Sequence, residues 1–235
     1  MSAPLAPLAP RVPYELWMYI LDRPELKGSS GILRMVCKDW EKYIKKRKTH
    51  KKEGVRTISL ILFSMEKLSF NRFEVCDYIA SLGELEVLQW ARGNGFHWNE
   101  DTCSKAAREA HLHILKWARE NDCPWDHWTC ANAARGGHFD VLKWVRKNGC
   151  PWDEWTCAAA VYSGRHDILK WAHENGCPWD KYTCQNAAYL GNLDILKWAR
   201  DNDCPWDRTI CSSAVNGGNL DILKWAQENG CPSDL

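Results

Sequence analysis

The chain repeats itself every 27 residues, with tryptophans at Trp90, Trp117, Trp144, Trp171, Trp198 and Trp225. A second ladder, Cys76, Cys103, Cys130, Cys157, Cys184 and Cys211, keeps the same step. A fixed period of this length is the signature of a stacked repeat array, in which each unit buries its apolar face only against its neighbours.

One unit, Cys150–Gly176, shows what the period encodes. Asp153 follows a Cys-Pro-Trp turn and is placed to cap a helix, because its carboxylate can accept orphan backbone N–H groups. A short helix is expected from Glu154 to Ser163, ended by Gly164, a residue suited to the left-handed position past a helix end. A second helix is expected from about His166 to Asn175, closed by Gly176. Its apolar residues Ile168, Leu169, Trp171 and Ala172 share one helical face, and Asp167 sits where the helix dipole favours negative charge. Helices of about ten residues are marginal alone. The expected fold is therefore all-α, a repeat solenoid of stacked helix pairs.

The unit resembles the ankyrin repeat. Thr156-Cys157 stands where that family has Thr-Pro. Ala133-Ala134 and Ala187-Ala188 stand at its paired alanines, and Gly191–Lys197 matches its Gly-His-Leu-Glu-Val-Val-Lys string. The resemblance covers residues 69–235, as six units and a terminal stub at Cys231-Pro-Ser-Asp-Leu. The unit is shorter than the ~33 residues of ankyrin, and the missing ones are those of the β-hairpin finger. The resemblance thus implies ankyrin-like helix pairs with the fingers lost.

The amino-terminal third breaks the period. Residues 1–11 form a proline-punctuated tail, expected to be disordered and lacking the regions of a signal peptide. Residues 12–44 read as a helical hairpin, with Leu16, Trp17, Ile20 and Leu21 on one apolar face. The Pro-x-Glu-Leu opening and the later Leu-Arg-x-Val-Cys-Lys-x-Trp string, at 33–40, resemble the F-box. That resemblance implies docking to a Skp-type adaptor of a cullin ubiquitin ligase. Pro13, Leu16, Trp17, Ile20, Leu21, Leu33, Val36 and Trp40 are the candidate adaptor-binding residues. The alternative is a hairpin that merely caps the array. An F-box-like segment joined to such an array resembles F-box/ankyrin-repeat proteins of giant DNA viruses.

Residues 45–56 form a basic linker whose Lys45–Lys52 tract reads as a solvated helix end or as a nuclear import or nucleic-acid signal. Residues 57–68 match the second helix of a unit by counting back one period, so a capping half-repeat is expected there. The chain of 235 residues is 45% apolar, enough to bury a substantial core. No apolar run approaches a membrane span, and a net charge of +1 gives no general attraction to nucleic acid. The chain is expected in the cytoplasm, the host's if viral, or in the nucleus if the basic tract is an import signal.

Twelve cysteines invite a zinc or disulfide reading. Within a unit, however, Cys123 and Cys130 are separated by six residues, unlike the two to four of zinc sites. Each also recurs as a packing residue would, so reduced, buried, metal-free thiols are expected. No nucleophile elbow, metal-binding His pair or acid–base pair emerges, and neither enzymatic activity nor a cofactor is expected. The repeating tryptophans read as core rather than as an aromatic cage for a cationic ligand.

Function is sought instead where units differ. One variable column on the first helices runs Asp101, Trp128, Trp155, Tyr182, Thr209; another runs Arg108, Arg135, Tyr162, Tyr189, Asn216. With units about 10 Å apart, each column becomes a row. Trp, Tyr and Arg are the residues of interface hot spots. Trp128, Trp155, Tyr182, Arg108, Arg135, Tyr162 and Tyr189 are therefore the candidate partner-binding residues, unless they only fill the space of the missing fingers. The expected function is a protein-interaction adaptor, a monomer that holds an unknown target protein. The alternatives are a scaffold or decoy that recruits no ligase, and a nucleic-acid binder using the basic linker.

Overall fold

The computed structural model describes residues 74–93 and 95–231. The F-box-like segment 12–44, the basic linker 45–56 and the capping half-repeat 57–68 lie outside the described residues, as does most of the terminal stub.

Within them the chain is a row of six helix pairs. The first helices are α1 (Val75–Leu82), α3 (Glu100–Arg108), α5 (His127–Arg135), α7 (Glu154–Tyr162), α9 (Lys181–Tyr189) and α11 (Thr209–Asn216). The second helices are α2 (Leu85–Gly93), α4 (Leu112–Glu120), α6 (Phe139–Lys147), α8 (His166–Glu174), α10 (Leu193–Asp201) and α12 (Leu220–Glu228). First helices of successive units pack directly on one another, whereas the second helices form a looser layer.

The local code works as expected at both ends of each helix. Asp153 accepts from the backbone N–H of Trp155 at 3.1 Å, and Asp126 and Asp180 cap α5 and α9 in the same way. Ser163 and Asn175 prove to be the residues just past their helices rather than the last helical ones. Gly164 and Gly176 then take left-handed φ values of 68° and 79°. The chain turns back there with a bond from Arg165 N–H to Ala160 O and from Cys177 N–H to Ala172 O. Asn148, Asn175 and Asn202 add a side-chain bond to the carbonyl of the helix tryptophan four residues earlier, each at 2.8 Å.

The buried residues are those that repeat. In α7 these are Thr156, Cys157, Ala160 and Val161, and in α8 Ile168, Leu169 and Ala172. The first-helix alanines let neighbouring backbones approach closely, which is why that layer is the tighter one. The tryptophans differ from the expectation of a buried core: apart from Trp90, those of the helices and turns are only half-buried. Each turn tryptophan meets the helix tryptophan of its own unit edge-on, as Trp152 meets Trp171 at 5.8 Å. Its other side is covered by an arginine from the preceding unit, with Arg146 4.0 Å above Trp152 and Arg119 4.3 Å above Trp125. His173 takes the arginine's place over Trp179, at 3.9 Å. The indoles therefore seal the edge of each junction, because their flat faces accept a cation that water can still reach.

Two further kinds of contact cross the junctions. The thiol of Cys150 donates to the carbonyl of the capping residue Asp126 at 3.3 Å, and Cys177 and Cys204 repeat this toward Asp153 and Asp180. At several junctions the residue just before a second helix reaches back to the end of the previous unit's first helix. His138 bonds the Arg108 carbonyl at 2.9 Å, and Asn219 the Ala188 carbonyl at 2.9 Å. These turn residues thus cap a neighbouring unit's helix, filling carbonyls that would otherwise lack a partner.

From the second unit on, thiols also face one another across the unit boundary, with Cys211 and Cys231 sulfurs 3.2 Å apart. Hydrogen bonding to the paired cysteine and burial push the Cys130 and Cys157 thiols far up, and burial pushes Cys231 to about 12. Since the thiolate is the nucleophile, these groups are held in their unreactive form. Native protein at pH 7.5 should react with iodoacetamide at none of the buried repeat cysteines within a time that labels all of them in guanidinium. Labelling of Cys157 without unfolding would contradict this.

A second expectation comes from the turns. The left-handed position that holds Gly137, Gly164, Gly191 and Gly218 holds Ala110 in the second unit, at φ 62°. A side chain there costs about 1–2 kcal/mol. Replacement should recover part of that, less the entropy glycine adds to the unfolded chain. Ala110→Gly should therefore stabilise the array by about 0.5–1 kcal/mol in denaturant unfolding, and a loss of stability would refute the assignment.

Candidate functional site

The first helices each present a stripe at i, i+3, i+4 and i+7, opposite the Thr-Cys and Ala-Ala positions that pack; its i and i+7 residues are mostly exposed, while i+3 is buried in the first four units. In chain order the leading row is Glu74, Asp101, Trp128, Trp155, Tyr182 and Thr209. The structure brings its three aromatics together. Trp128 and Trp155 stack at 6.0 Å between ring centroids with 28° between planes, and Trp155 and Tyr182 at 5.5 Å and 18°. All three stay about 40% exposed. Stacking uses the ring faces, so the outer edges meet solvent.

The second row also forms as the spacing predicts. Tyr162 and Tyr189 are the most exposed aromatics of the first helices, each at 53%. The Arg135 guanidinium lies 4.6 Å above the Tyr162 ring, and Arg108 pairs with Glu109 at 4.0 Å. All seven candidate partner-binding residues therefore share the first-helix face. The eight candidate adaptor-binding residues, Pro13 to Trp40, lie outside the described residues.

Sequence reasoning overlooked the columns between these rows. Asp77 and Tyr78 belong to them, at i+3 and i+4 from Glu74. With Glu74, Ser81, Asp101, Lys105, Arg108 and Glu109 they line a cavity of about 510 Å³ between α1 and α3. Its detectable signal was the same variability that marked the outer rows. Asp77 is 7% exposed and accepts a 2.5 Å bond from the Thr102 hydroxyl. Burial raises its pKa, the Thr102 bond pulls the other way, and the Asp101 carboxylate raises it further. In later units Ala131 and Ala158 occupy the column and Thr129, Thr156 and Thr183 have no hydroxyl partner. The cavity thus depends on residues particular to the first two units.

Among the described residues no group of three or more His, Cys, Asp or Glu side chains could hold a metal ion. No helix among them is long and apolar enough to cross a membrane.

No family model matches the chain. No curated protein matches it either. Among solved structures the chain is similar to the pentatricopeptide repeat protein PPR10 in complex with an 18-nt psaJ RNA element, at 12% identity and a TM-score of 0.37. A cysteine-to-serine form of the same complex gives the same values. The alignment covers 97% of this chain and 48% of that one, so the chain spans about half the length of the protein it matches. At this identity and score the likeness carries nothing about what this chain binds.

At the far end of the leading row, Lys181 bonds Asp207 at 2.9 Å, tying unit five to unit six. Asp207 also accepts from the Thr209 backbone N–H at 2.9 Å and from its hydroxyl. The Thr209 hydroxyl and then Lys181 hold the Asp207 carboxyl down to about 2. An unfolded aspartate titrates near ~3.9. A lowered native pKa stabilises the fold above that value, and the gain disappears as pH falls through about 2. Asp207→Asn should therefore lower the melting temperature at pH 6. The difference from wild type should shrink below pH 4 and close near pH 2. A gap independent of pH would show that the carboxylate charge contributes nothing.

Proposed function

We propose that this chain is a protein-interaction scaffold whose first-helix face holds a segment of a partner protein. The observation that carries the reading is the Trp128–Trp155–Tyr182 row, three contiguous large aromatics left about 40% exposed on an otherwise well-packed layer. Such clusters are the usual anchors of interfaces. The alternative, that these aromatics only fill the space of the missing fingers, does not account for the exposure of Tyr162 and Tyr189 on the second row. We read the units as ankyrin-like with the finger deleted. The Thr-Cys and Ala-Ala positions and the short helix-to-helix links support that reading.

The F-box resemblance of residues 12–44 makes the scaffold a substrate receptor, docking a Skp-type adaptor of a cullin ligase while the array holds the target. A scaffold or decoy without ligase recruitment would need the same face but not the hairpin. The nucleic-acid reading draws little from the described face. Its stripe carries Lys105, Arg108 and Arg135 against Glu74, Asp77 and Asp101, a balanced set rather than a track of cations.

Affinity capture of the full chain with mass spectrometry tests these readings together. Trp155→Ala with Tyr182→Ala should lose the target by tenfold or more while leaving the helical content intact. Leu16→Ala with Ile20→Ala should lose a Skp-type adaptor and keep the target. Retention of every captured protein by the aromatic variant would overturn the scaffold reading. Absence of any adaptor from the wild-type capture would remove the ligase reading alone.

A further inference from the structure

The ladder cysteines are a recurring reactive group that the scaffold reading leaves unused, and they sit in pairs. Cys211 donates to the Cys231 sulfur at 3.2 Å, and Cys231 in turn donates to the Asp207 carbonyl at 3.5 Å. The proton of the turn thiol is thus engaged by backbone, which leaves its sulfur to accept from the helix thiol. Hydrogen bonds also join Cys103 to Cys123 and Cys130 to Cys150. The pairs that begin at Cys157 and Cys184 keep the same 20-residue step.

Filling space does not by itself require two sulfurs. At the first junction Phe96 stands where the step from Cys76 would place a cysteine, and it is as buried as the cysteines are. Every later pair joins a first helix to the residue that opens the next unit. A bond between the two sulfurs would therefore tie consecutive units together. A disulfide holds its sulfurs about 2.05 Å apart, so the Cys211–Cys231 pair has to close by only about 1 Å.

We propose that these thiol pairs are oxidation sites, at which a small-molecule disulfide such as oxidised glutathione converts each pair into a protein disulfide and staples one unit to the next without changing the fold. One thiol, as its thiolate, attacks a sulfur of the oxidant. A mixed disulfide forms, and the departing glutathione thiolate takes up the proton that the attacking thiol lost. The facing thiol then gives up its proton and attacks the protein sulfur of the mixed disulfide, releasing the second glutathione. Two protein S–H bonds and the oxidant's S–S bond are broken; one protein S–S bond and two glutathione S–H bonds form. Hydrogen bonding within the pair and burial push the Cys157 thiol up, which keeps thiolate scarce while a junction is closed. The exchange therefore runs through local openings, and the reclosing junction selects the partner sulfur. Cys211 and Cys231 are 5% and 6% exposed, against 0–3% for the other pairs, so they oxidise first. The staples fix the rotation of one unit on the next, whatever the first-helix face holds.

The test incubates the full chain with oxidised glutathione at pH 7.5, for a period long compared with alkylation of the unfolded chain. Disulfides are then mapped by peptide mass spectrometry without reduction. Among the ladder cysteines, cross-links should appear only in the 20-residue register, Cys211–Cys231 first, while Cys76 stays free. The same oxidant in guanidinium should give mixed pairings. The oxidised array should keep its circular-dichroism spectrum, unfold at a guanidinium concentration roughly 0.5–1 M higher, and revert with dithiothreitol. Cys231→Ser keeps a donor for the Asp207 carbonyl and should lose that cross-link while retaining the others. No disulfide in the native protein, pairing outside the register, the same register from the unfolded chain, or loss of helix on oxidation would each overturn the proposal.

Discussion

Everything in this array depends on the junction between one helix pair and the next. No helix among the described residues is longer than nine residues, and helices of that length do not persist in water unaided. Stability therefore comes from burying Thr-Cys, Ala-Ala and Ile-Leu positions of one unit against those of its neighbours. Polar crossings reach backbone carbonyls of the neighbouring unit at two places. One is the capping residue that opens a first helix, reached by a thiol such as Cys150. The other is the far end of that helix, reached from the next unit by His138 or Asn219. These contacts fix the rotation of one unit on the next, which apolar contact by itself would leave loose.

That fixed rotation makes the first-helix face a surface rather than a set of separate helices. A residue two places before each ladder cysteine appears once per unit. Only when units stack in constant orientation does Trp155 fall within 6.0 Å of both Trp128 and Tyr182. The tight first-helix layer also decides the exposure. Small Ala133 and Ala160 face the neighbour, so the large side chains on the opposite side of the same helices have nowhere to go but outward. The half-buried Trp–Trp–Arg stacks at the other edge serve a different purpose. They close the turns, and Arg146 over Trp152 is already a filled site, with its cation supplied by the chain itself. The chain's own arginine thus stands where an outside cation would meet the ring.

Departures from the repeat carry the individuality of the molecule. Asp77 stands where later units have Ala131 and Ala158, and the Thr102 hydroxyl that bonds it has counterparts with no partner in three later units. His173 stands where Arg119, Arg146 and Arg200 cover the next tryptophan. Ala110, Asp122 and Asp203 accept left-handed backbone that glycine takes elsewhere. The junction geometry is strong enough to impose its conformation on residues that do not favour it, at a cost of about 1–2 kcal/mol each.

The helix pairs, their caps, their left-handed stops and the two outer rows were legible in the sequence, because each depends on residues close in the chain or on the period itself. Asp153 needs only Trp155 to act as a cap, and Gly164 needs only its own backbone. What crosses between units was not legible. The period shows that Cys150 and His138 recur but not what they touch, and their partners lie 24 and 30 residues earlier. The same holds for the tryptophans, whose place at the junction edge rather than in the core follows from arginines of the preceding unit. The cavity between α1 and α3 is the furthest from sequence reach. It joins side chains from two helices, and its acidity comes from Asp77 and Asp101 being brought together by packing. Local chemistry determined the unit; the rotation between units, set by long-range packing and the bonds that cross it, decided which residues meet.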